Sequence, residues 1–277
     1  MKDIRQADEW AKYLSSIGWK AEKVGSTLIY LKRISLLGWF VKIQRPTNLS
    51  EKVINFIELK YHPFQFSIEP SNKSQVELIK KLNFKLSNSP SLPTKSLIID
   101  LTKSEKRLLE SFSQKTRYNI KLSKNKDLKI VKSNNISIFT KFWRENFEKK
   151  RFPFFSQQKN IVALSKAFNK NSHILLAQKG NETVAALFIL TFDKVAYYMY
   201  AASNNTGRKL FTPTLLTWEA VLLAKKSRCK VFDFDGIYDE RFPIKSWLGF
   251  TKFKKGFGGK ETEYPGNFTR TRSIIKI

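Results

Sequence analysis

The chain has 277 residues, 42% of them hydrophobic and 14% aromatic, which supports one large domain or two ordinary ones and argues against global disorder. Its 51 Lys and Arg against 23 Asp and Glu give a net charge of +28, which favours phosphate-rich partners such as nucleic acid, anionic lipid or nucleotide-linked substrates. The single cysteine, Cys229, excludes an intramolecular disulfide and a four-cysteine zinc site. The two histidines, His62 and His173, lack metal-ligand spacing.

The charge has a second explanation, because an AT-rich genome also enriches Lys, Asn, Ile and Phe. The first residues, MKDIRQADEW, contain no apolar run, and no apolar run elsewhere approaches ~20 residues. We therefore expect neither a secretory signal nor a membrane span. The expectation is a cytoplasmic protein, which its charge could draw to the anionic inner face of the membrane.

The first half of the chain predicts alternating helices and strands. A capping box, Thr102 to Glu105, marks the start of the last of these helices. Gln44-Arg45-Pro46 ends a strand, because proline cannot continue a central one. The predicted helices are 7–17, 50–59, 75–82 and 102–112, and the predicted strands are 27–34, 39–45, 64–68 and 96–101.

The most basic segment is 113–126, SQKTRYNIKLSKNK. Arg117, Lys121 and Lys124 share roughly one face of a predicted helix. That face is either solvated or a phosphate-contacting surface.

The second half starts a new α/β pattern. Helix 214–226 leads into the strand that carries Asp233 and Asp235, and the tail 261–277 holds two further strand candidates that could return to the first half. Before them, the pattern predicts strand 128–131, helices 136–149 and 156–169 separated by a break at 152–154, and strands 173–178, 183–192 and 195–202.

Two adjoining stretches near the end carry the chemistry. In the first, period-two geometry places Asp233 and Asp235 on one face of a strand, with Phe232 and Phe234 on the other. In the second, 250–259, lysines alternate with phenylalanines and three glycines follow. Because aromatic rings bury and lysines resist burial, we expect the lysines to project into a groove beside the rings. An ordinary strand–turn–strand with solvated lysines is the alternative.

Seven stretches occur in a fixed order along nearly the whole chain: Trp10 with Gly18-Trp19, Lys42 to Pro46, Lys115 to Ile120, Tyr200 to Ser203 with Arg208, Trp218 to Ala220, Asp233 to Gly236, and Phe250 to Phe257. Together they resemble the Fem family of aminoacyl transferases, which build the interpeptide bridges of peptidoglycan. The sequence departs from the family at Leu14, where a lysine is expected, and at Asp235, which adds a carboxylate to an Asp-Phe-Gly-Gly turn.

The resemblance implies an α/β fold with mixed sheets and two GNAT-like acyltransferase domains, 1–132 plus 261–277 and 133–260. It implies transfer of an amino acid from aminoacyl-tRNA to the amine of a lipid- or nucleotide-linked peptidoglycan precursor, in cell-wall synthesis. Such aminolysis of an activated ester requires positioning and oxyanion stabilisation. We therefore expect no metal and no cofactor beyond the aminoacyl-tRNA co-substrate.

The resemblance also implies site residues. Phe253 and Lys254 align with the pair that acts at the family's reaction centre, where Lys254 would stabilise the oxyanion or the departing ribose hydroxyl. Asp235 or Asp233 is the candidate proton acceptor, with Asp100 more distant. Arg208 would bind the acceptor's diphosphate. The remaining predicted contacts are Tyr200, Ser203, Arg117, Tyr118 and Asp233 for substrate, and Lys252, Lys255 and Lys260 for tRNA phosphates.

Three other functions remain open from the residues. A CoA-dependent acetyltransferase requires an Arg/Gln-x-x-Gly-x-Gly/Ala loop, and the nearest segment, 204–208, lacks the second glycine and the leading Gln. A non-catalytic RNA-binding protein explains the charge and the aromatic residues, but not the aspartate strand or Trp218-Glu219. Transfer of an amino acid to a protein N-terminus or a lipid head group would use the same donor chemistry.

Overall fold

The computed structural model describes residues 1–148 and 156–272. The predicted break at 152–154, the end of the predicted helix at 149 and the last residues of the tail lie outside this part of the chain. The helices are α1 (Asp8–Ser16), α2 (Glu51–Tyr61), α3 (Lys73–Lys81), α4 (Glu105–Ser111), α5 (Gln114–Lys124), α6 (Ile136–Trp143), α7 (Gln158–Phe168), α8 (Asn205–Lys209), α9 (Thr212–Lys226) and α10 (Leu248–Lys255).

The strands lie along the chain largely as the hydrophobic patterns predicted, and the short strands β1 and β5 are additions. They are β1 (Lys20–Val24), β2 (Thr27–Ile34), β3 (Gly38–Gln44), β4 (Gln65–Glu69), β5 (Lys85–Ser87), β6 (Lys95–Asp100), β7 (Lys129–Ser133), β8 (Ser172–Lys179), β9 (Glu182–Phe192), β10 (Val195–Ser203), β11 (Val231–Asp233), β12 (Lys260–Glu263) and β13 (Asn267–Thr271).

Two mixed sheets confirm the predicted α/β fold class. Within the described residues, one sheet has six strands in the order β1-β2-β3-β4-β13-β5, and the other has seven in the order β12-β6-β11-β10-β9-β8-β7. The pairs β3–β4 and β10–β11 are parallel, whereas β1–β2, β2–β3, β8–β9 and β9–β10 are antiparallel. Of the two predicted tail strands, β13 joins the first sheet between β4 and β5, whereas β12 joins the second sheet.

The chain divides into two compact units, each with one sheet. The first contains Met1–Lys95, Asp239–Pro243 and the described tail from Glu263, and the second contains Ser96–Tyr238 and Ile244–Thr262. The segment 96–132 therefore belongs to the second unit and not, as the predicted boundary had it, to the first. The reason is strand pairing: Ile99 of β6 pairs with Phe232 of β11, and β7 pairs with β8.

Arg45 of the Gln-Arg-Pro stretch has a structural position inside the first unit. Its side chain is 3% exposed, donates to the Pro93 carbonyl at 2.5 Å and lies 3.4 Å from the centre of the Tyr264 ring. A second bond reaches the Asp3 carboxylate at 3.3 Å. This guanidinium joins three segments that are distant in the sequence. Its role in holding the first unit together is therefore enough to explain an arginine at this position.

The start of α4 differs from the predicted capping box. Ser104 is the N-cap, and its hydroxyl accepts from the Arg107 amide, because the helix begins at Glu105. Thr102 instead donates its hydroxyl to Asp100 at 2.6 Å. The Thr102 amide donates to the same carboxylate, so Asp100 is hydrogen-bonded at an exposed turn. These two bonds are the main reason that the pKa of Asp100 is lowered.

The core of the second unit surrounds α9. Trp218 is buried and meets Phe112 edge-on at 5.5 Å, and Phe112 in turn meets Phe257 at 5.2 Å. Burial raises the pKa of the neighbouring Glu219. In residues 1–148 and 156–272, no helix combines the length and the apolar character required to cross a bilayer.

Candidate active site

A pocket of about 820 Å³ lies in the second unit, between the ends of β9 and β10 and the helices α9 and α10. Its wall is mainly aromatic and apolar, with a few polar groups at separate points. The lining side chains that matter for chemistry, polar and aromatic, are Tyr198, Tyr200, Ser203, Arg208, Thr217, Asp235, Phe250, Phe253 and Lys254. A mostly apolar cavity with few convergent polar groups is the usual form of a small-molecule or substrate site.

The wall contains two cations, Arg208 and Lys254, of which Lys254 is buried, at only 8% exposed. Its Nζ donates to the carbonyls of Phe234 at 2.8 Å and Gly236 at 2.7 Å. The same atom lies 4.8 Å from the centre of the Phe250 ring and 5.4 Å from that of Tyr198. Since an ammonium has three donors, these two hydrogen bonds leave one N–H for a substrate atom.

Helix α10 explains this arrangement and overturns the strand–turn–strand alternative. Helical spacing places Phe250, Phe253 and Lys254 on one face, towards the pocket, whereas Lys252 and Lys255 are exposed on the other. The prediction of a cation beside fixed rings therefore holds for the geometry of Lys254. The expectation that these lysines resist burial was wrong for Lys254, because two backbone carbonyls satisfy its ammonium.

Burial lowers the pKa of Lys254 to about 8, and the negative charges of Asp235 and Asp233 oppose that shift. An unfolded lysine has a pKa of about 10.4. Between these two values the unfolded chain binds more protons than the folded chain, so this residue makes stability rise with pH.

We therefore expect the free-energy difference between wild type and Lys254→Met to change between pH 8 and 10, in favour of the wild type as pH rises. The change can reach about 1.4 kcal/mol per pH unit, the limit for one proton. Urea unfolding of both proteins at several pH values measures it. Lys252→Met, at an exposed position of the same helix, should run parallel to wild type. Parallel profiles for Lys254→Met would show that the ammonium is not desolvated.

The two aspartates do not share a face. The strand β11 ends at Asp233, and Asp235 has a left-handed backbone with φ 48°, so alternation stops before it. Asp233 is buried, where it accepts the Ser96 hydroxyl and the Asp235 amide, the latter at 2.8 Å. Of the pair, only Asp235 lines the pocket. Asp233 shapes the turn that presents Asp235 and the carbonyls bound by Lys254.

The glycines that follow α10 are held by close packing. A Cβ on Gly258 would lie 2.5 Å from the Ser111 carbonyl oxygen, and one on Gly259 would lie 2.6 Å from that of Ile98. Both have positive φ, 67° and 95°. Between α10 and these glycines, Phe257 is fully buried. The glycines therefore allow the segment after α10 to pack closely against α4 and β6.

A β-bulge in β10 directs two tyrosines to opposite sides of the second sheet. The register with β9 shifts between Tyr198 and Tyr200. Tyr198 packs on Phe234 at 5.4 Å, whereas Tyr200 packs on Trp143 at 5.4 Å. Burial raises the pKa of Tyr198 to about 12, and a hydrogen bond with Thr217 opposes that shift. Tyr198 could not be identified as a pocket residue from the sequence, because the stretch 195–203 contains no glycine or proline that would indicate a bulge.

Tyr200, Ser203 and Arg208 are brought together at the pocket wall. Arg208 is exposed and donates to the Ser203 carbonyl at 2.5 Å and to the Asn205 side chain. It belongs to the short helix α8, where any side chain on Gly207 would overlap the Val184 carbonyl. The close approach of Gly207 to β9 fixes the position of α8, and the bonds to Ser203 and Asn205 orient the Arg208 guanidinium.

Arg117 and Tyr118 do not line the pocket. Arg117 donates to the carbonyls of Phe112 and Glu110 at the end of α4, and Tyr118 is 61% exposed on α5. The solvated-face interpretation fits this helix, with Arg117 satisfying otherwise unbonded carbonyls.

The three lysines predicted to contact tRNA are all exposed. Lys255 forms an ion pair with Glu261 at 2.5 Å, and Lys252 and Lys260 point to solvent in the same region. In the part of the chain that the structure describes, no group of three His, Cys, Asp or Glu side chains could hold a metal ion.

Comparison with known proteins finds a match to one family model over part of the chain and solved structures with a similar fold. The model of the FemAB family matches residues 155–275. The crystal structure of FemX superposes with a TM-score of 0.82 at 15% identity, covering 98% of this chain and 92% of that chain. The structure of L-PGS from Bacillus licheniformis superposes with a TM-score of 0.61 at 11% identity, covering 94% of this chain and 86% of that chain. A GCN5-related N-acetyltransferase from Kribbella flavida superposes with a TM-score of 0.50 at 10% identity, covering 99% of this chain and 98% of that chain. No curated protein sequence shows a significant match.

Proposed function

Since the FemAB match and the FemX-like fold support a Fem-family protein, we propose that this chain is an acyltransferase that moves an amino acid from aminoacyl-tRNA to the amine of a peptidoglycan precursor. The observation that carries the proposal is the environment of Lys254. A buried ammonium with one remaining donor, fixed between aromatic rings at a pocket wall, is suited to stabilising an oxyanion.

The reaction requires one bond to form and one to break. The amine nitrogen of the acceptor attacks the ester carbonyl, and the tetrahedral oxyanion accepts the third N–H of Lys254. Collapse expels the ribose oxygen, which takes up a proton, while the attacking nitrogen loses one. Asp235 lines the same pocket, and we assign it to accept the proton that the attacking amine loses or to orient that amine. The attack needs no covalent enzyme intermediate, because the ester is already activated.

Exposed lysines around α10 support binding of the RNA donor. Lys252 and Lys260 are available to phosphates directly, whereas Lys255 would have to exchange its ion pair with Glu261. Such contacts are individually weak and position the strand without reading its sequence. Loss of one should weaken tRNA binding modestly and reduce its salt dependence.

Arg208 is the proposed contact for an anionic part of the acceptor. We expect Arg208→Ala to raise the KM for a diphosphate-bearing acceptor about tenfold or more, the scale of charge-assisted hydrogen bonds, with the KM for aminoacyl-tRNA unchanged. Steady-state kinetics with each substrate varied in turn measure both. Lys209→Ala, the exposed neighbour on α8, is the matched control. An equal loss for both substrates would contradict the assignment.

The function itself is tested with purified protein, tRNA charged with labelled amino acids, and either a nucleotide-linked or a lipid-linked muropeptide. Transfer of label to the muropeptide is expected. Label on phosphatidylglycerol or on a protein N-terminus would show that the acceptor is that molecule and not a peptidoglycan precursor. Acetylation from acetyl-CoA would overturn the proposed function, and so would equal binding of charged and uncharged tRNA without consumption of the ester. Against the CoA route, the Gly207 amide at the start of α8 is already bonded to Asn204 at 2.8 Å.

A further inference from the structure

The hairpin that joins β2 and β3 in the first unit ends in two exposed leucines. Leu36 is fully exposed and Leu37 is 43% exposed. Leu36 also has a left-handed backbone, φ 65°, which favours glycine or asparagine. A single exposed leucine is ordinary. An adjacent exposed pair, one of them in a backbone conformation unfavourable to leucine, makes the tip a candidate contact surface.

Helix α2 adds a second apolar surface at the same end of the unit. It buries Ile54 and Ile57 and exposes Phe56 and Leu59, at 42% and 75%. The helix ends at Tyr61, whose ring meets that of Trp39 at 5.7 Å. Because Trp39 lies at the start of β3, directly after the hairpin tip, the last turn of α2 and the tip share one end of the sheet.

Cations flank these apolar side chains. Lys32 and Arg33 are exposed immediately before the tip, and neither forms an ion pair with a described residue. Lys60 lies in the last turn of α2, paired with Glu22 at 2.6 Å. Apolar side chains among cations are the pattern of surfaces that bind anionic bilayers, where the headgroups attract the charges and the apolar groups enter the interface.

We propose that the first unit docks on an anionic membrane surface, with Leu36 and Leu37 entering the interface beside Phe56 and Leu59. Lys32 and Arg33 meet the lipid phosphates. The net charge of +28 favours this occupant and opposes a second copy of the chain. The docking does not depend on the proposed aminoacyl transfer, so the two stand or fall separately.

Cosedimentation of the full chain with vesicles tests the proposal. We expect binding to vesicles of phosphatidylglycerol and phosphatidylcholine in equal parts, and much weaker binding to phosphatidylcholine alone. Raising NaCl from about 0.1 to about 0.5 M should weaken it, because screening shortens the Debye length. The double variant Leu36→Asn/Leu37→Asn should lower the affinity about tenfold or more, the scale of burying one leucine. Lys32→Gln/Arg33→Gln should lower it about tenfold or more on the anionic vesicles only.

The asparagine variant should fold, because asparagine accepts the left-handed conformation at position 36. Circular dichroism and thermal melting check this. Leu86→Asn is the matched control, since Leu86 is 51% exposed on β5, at the opposite edge of the same sheet. Wild-type vesicle binding by the folded Leu36→Asn/Leu37→Asn variant would overturn the proposal. So would equal binding of wild type to neutral and anionic vesicles, or a dimer in solution that this variant alone converts to monomer.

Discussion

Lys254→Met should lower the rate of aminoacyl transfer about 10²- to 10³-fold, the effect of removing one well-placed oxyanion donor. Methionine is one atom shorter than lysine and keeps an unbranched, flexible side chain beside Phe250 and Tyr198, but it removes all three N–H donors. Single-turnover transfer from charged tRNA, at saturating acceptor, isolates the chemical step. The loss should appear in that rate and not in the affinity for tRNA.

Folding of the same variant must be measured beside its activity. The carbonyls of Phe234 and Gly236 lose their donor, which costs about 1–3 kcal/mol for each carbonyl that stays buried. Lys252→Met removes a neighbouring positive charge from the exposed face of α10 and should keep nearly full turnover. A folded Lys254→Met protein with wild-type turnover would remove the lysine from the mechanism.

Gly259→Ala should lower the free energy of unfolding by about 2–5 kcal/mol, the combined scale of a left-handed backbone and overpacking. The added methyl would meet the Ile98 carbonyl at 2.6 Å, and φ of 95° is unfavourable for alanine. Because Ile98 is part of β6, its carbonyl cannot move without disturbing the pairing with β11. Urea unfolding monitored by circular dichroism measures the loss.

Gly249→Ala is the matched control within the same segment. Nothing lies within 4 Å of a Cβ at Gly249, and the residue is helical. Alanine there should leave stability unchanged or raise it by up to about 1 kcal/mol, because glycine is unfavourable in helices. If Gly259→Ala were as stable as Gly249→Ala, the close approach of this segment to β6 would not be what holds α10.

Much of the fold could be predicted from local pattern. Helices such as α2 and α9 follow from apolar spacing, and the strands β8 to β10 follow from apolar runs between turn signals. The stretch from Phe250 to Phe257 also pointed to a lysine beside aromatic rings, because its residue types must separate on burial. It did not distinguish helix from strand, since a short run alternating Lys and Phe matches both periods.

The sequence by itself therefore determined the fold class, the order of the elements and the residue types around Lys254, since these depend on neighbours a few positions apart. Only the tertiary structure decided which polar groups meet. Asp233 is separated from the pocket by its bond to Ser96, 137 positions away in the chain. Arg117 donates to a carbonyl at the end of α4. Lys254 can be buried because the carbonyls of Phe234 and Gly236 accept hydrogen bonds from its ammonium group. The physical reason is that a buried polar side chain takes its partner from whatever segment the fold brings within hydrogen-bond distance, and local periodicity carries no record of that segment.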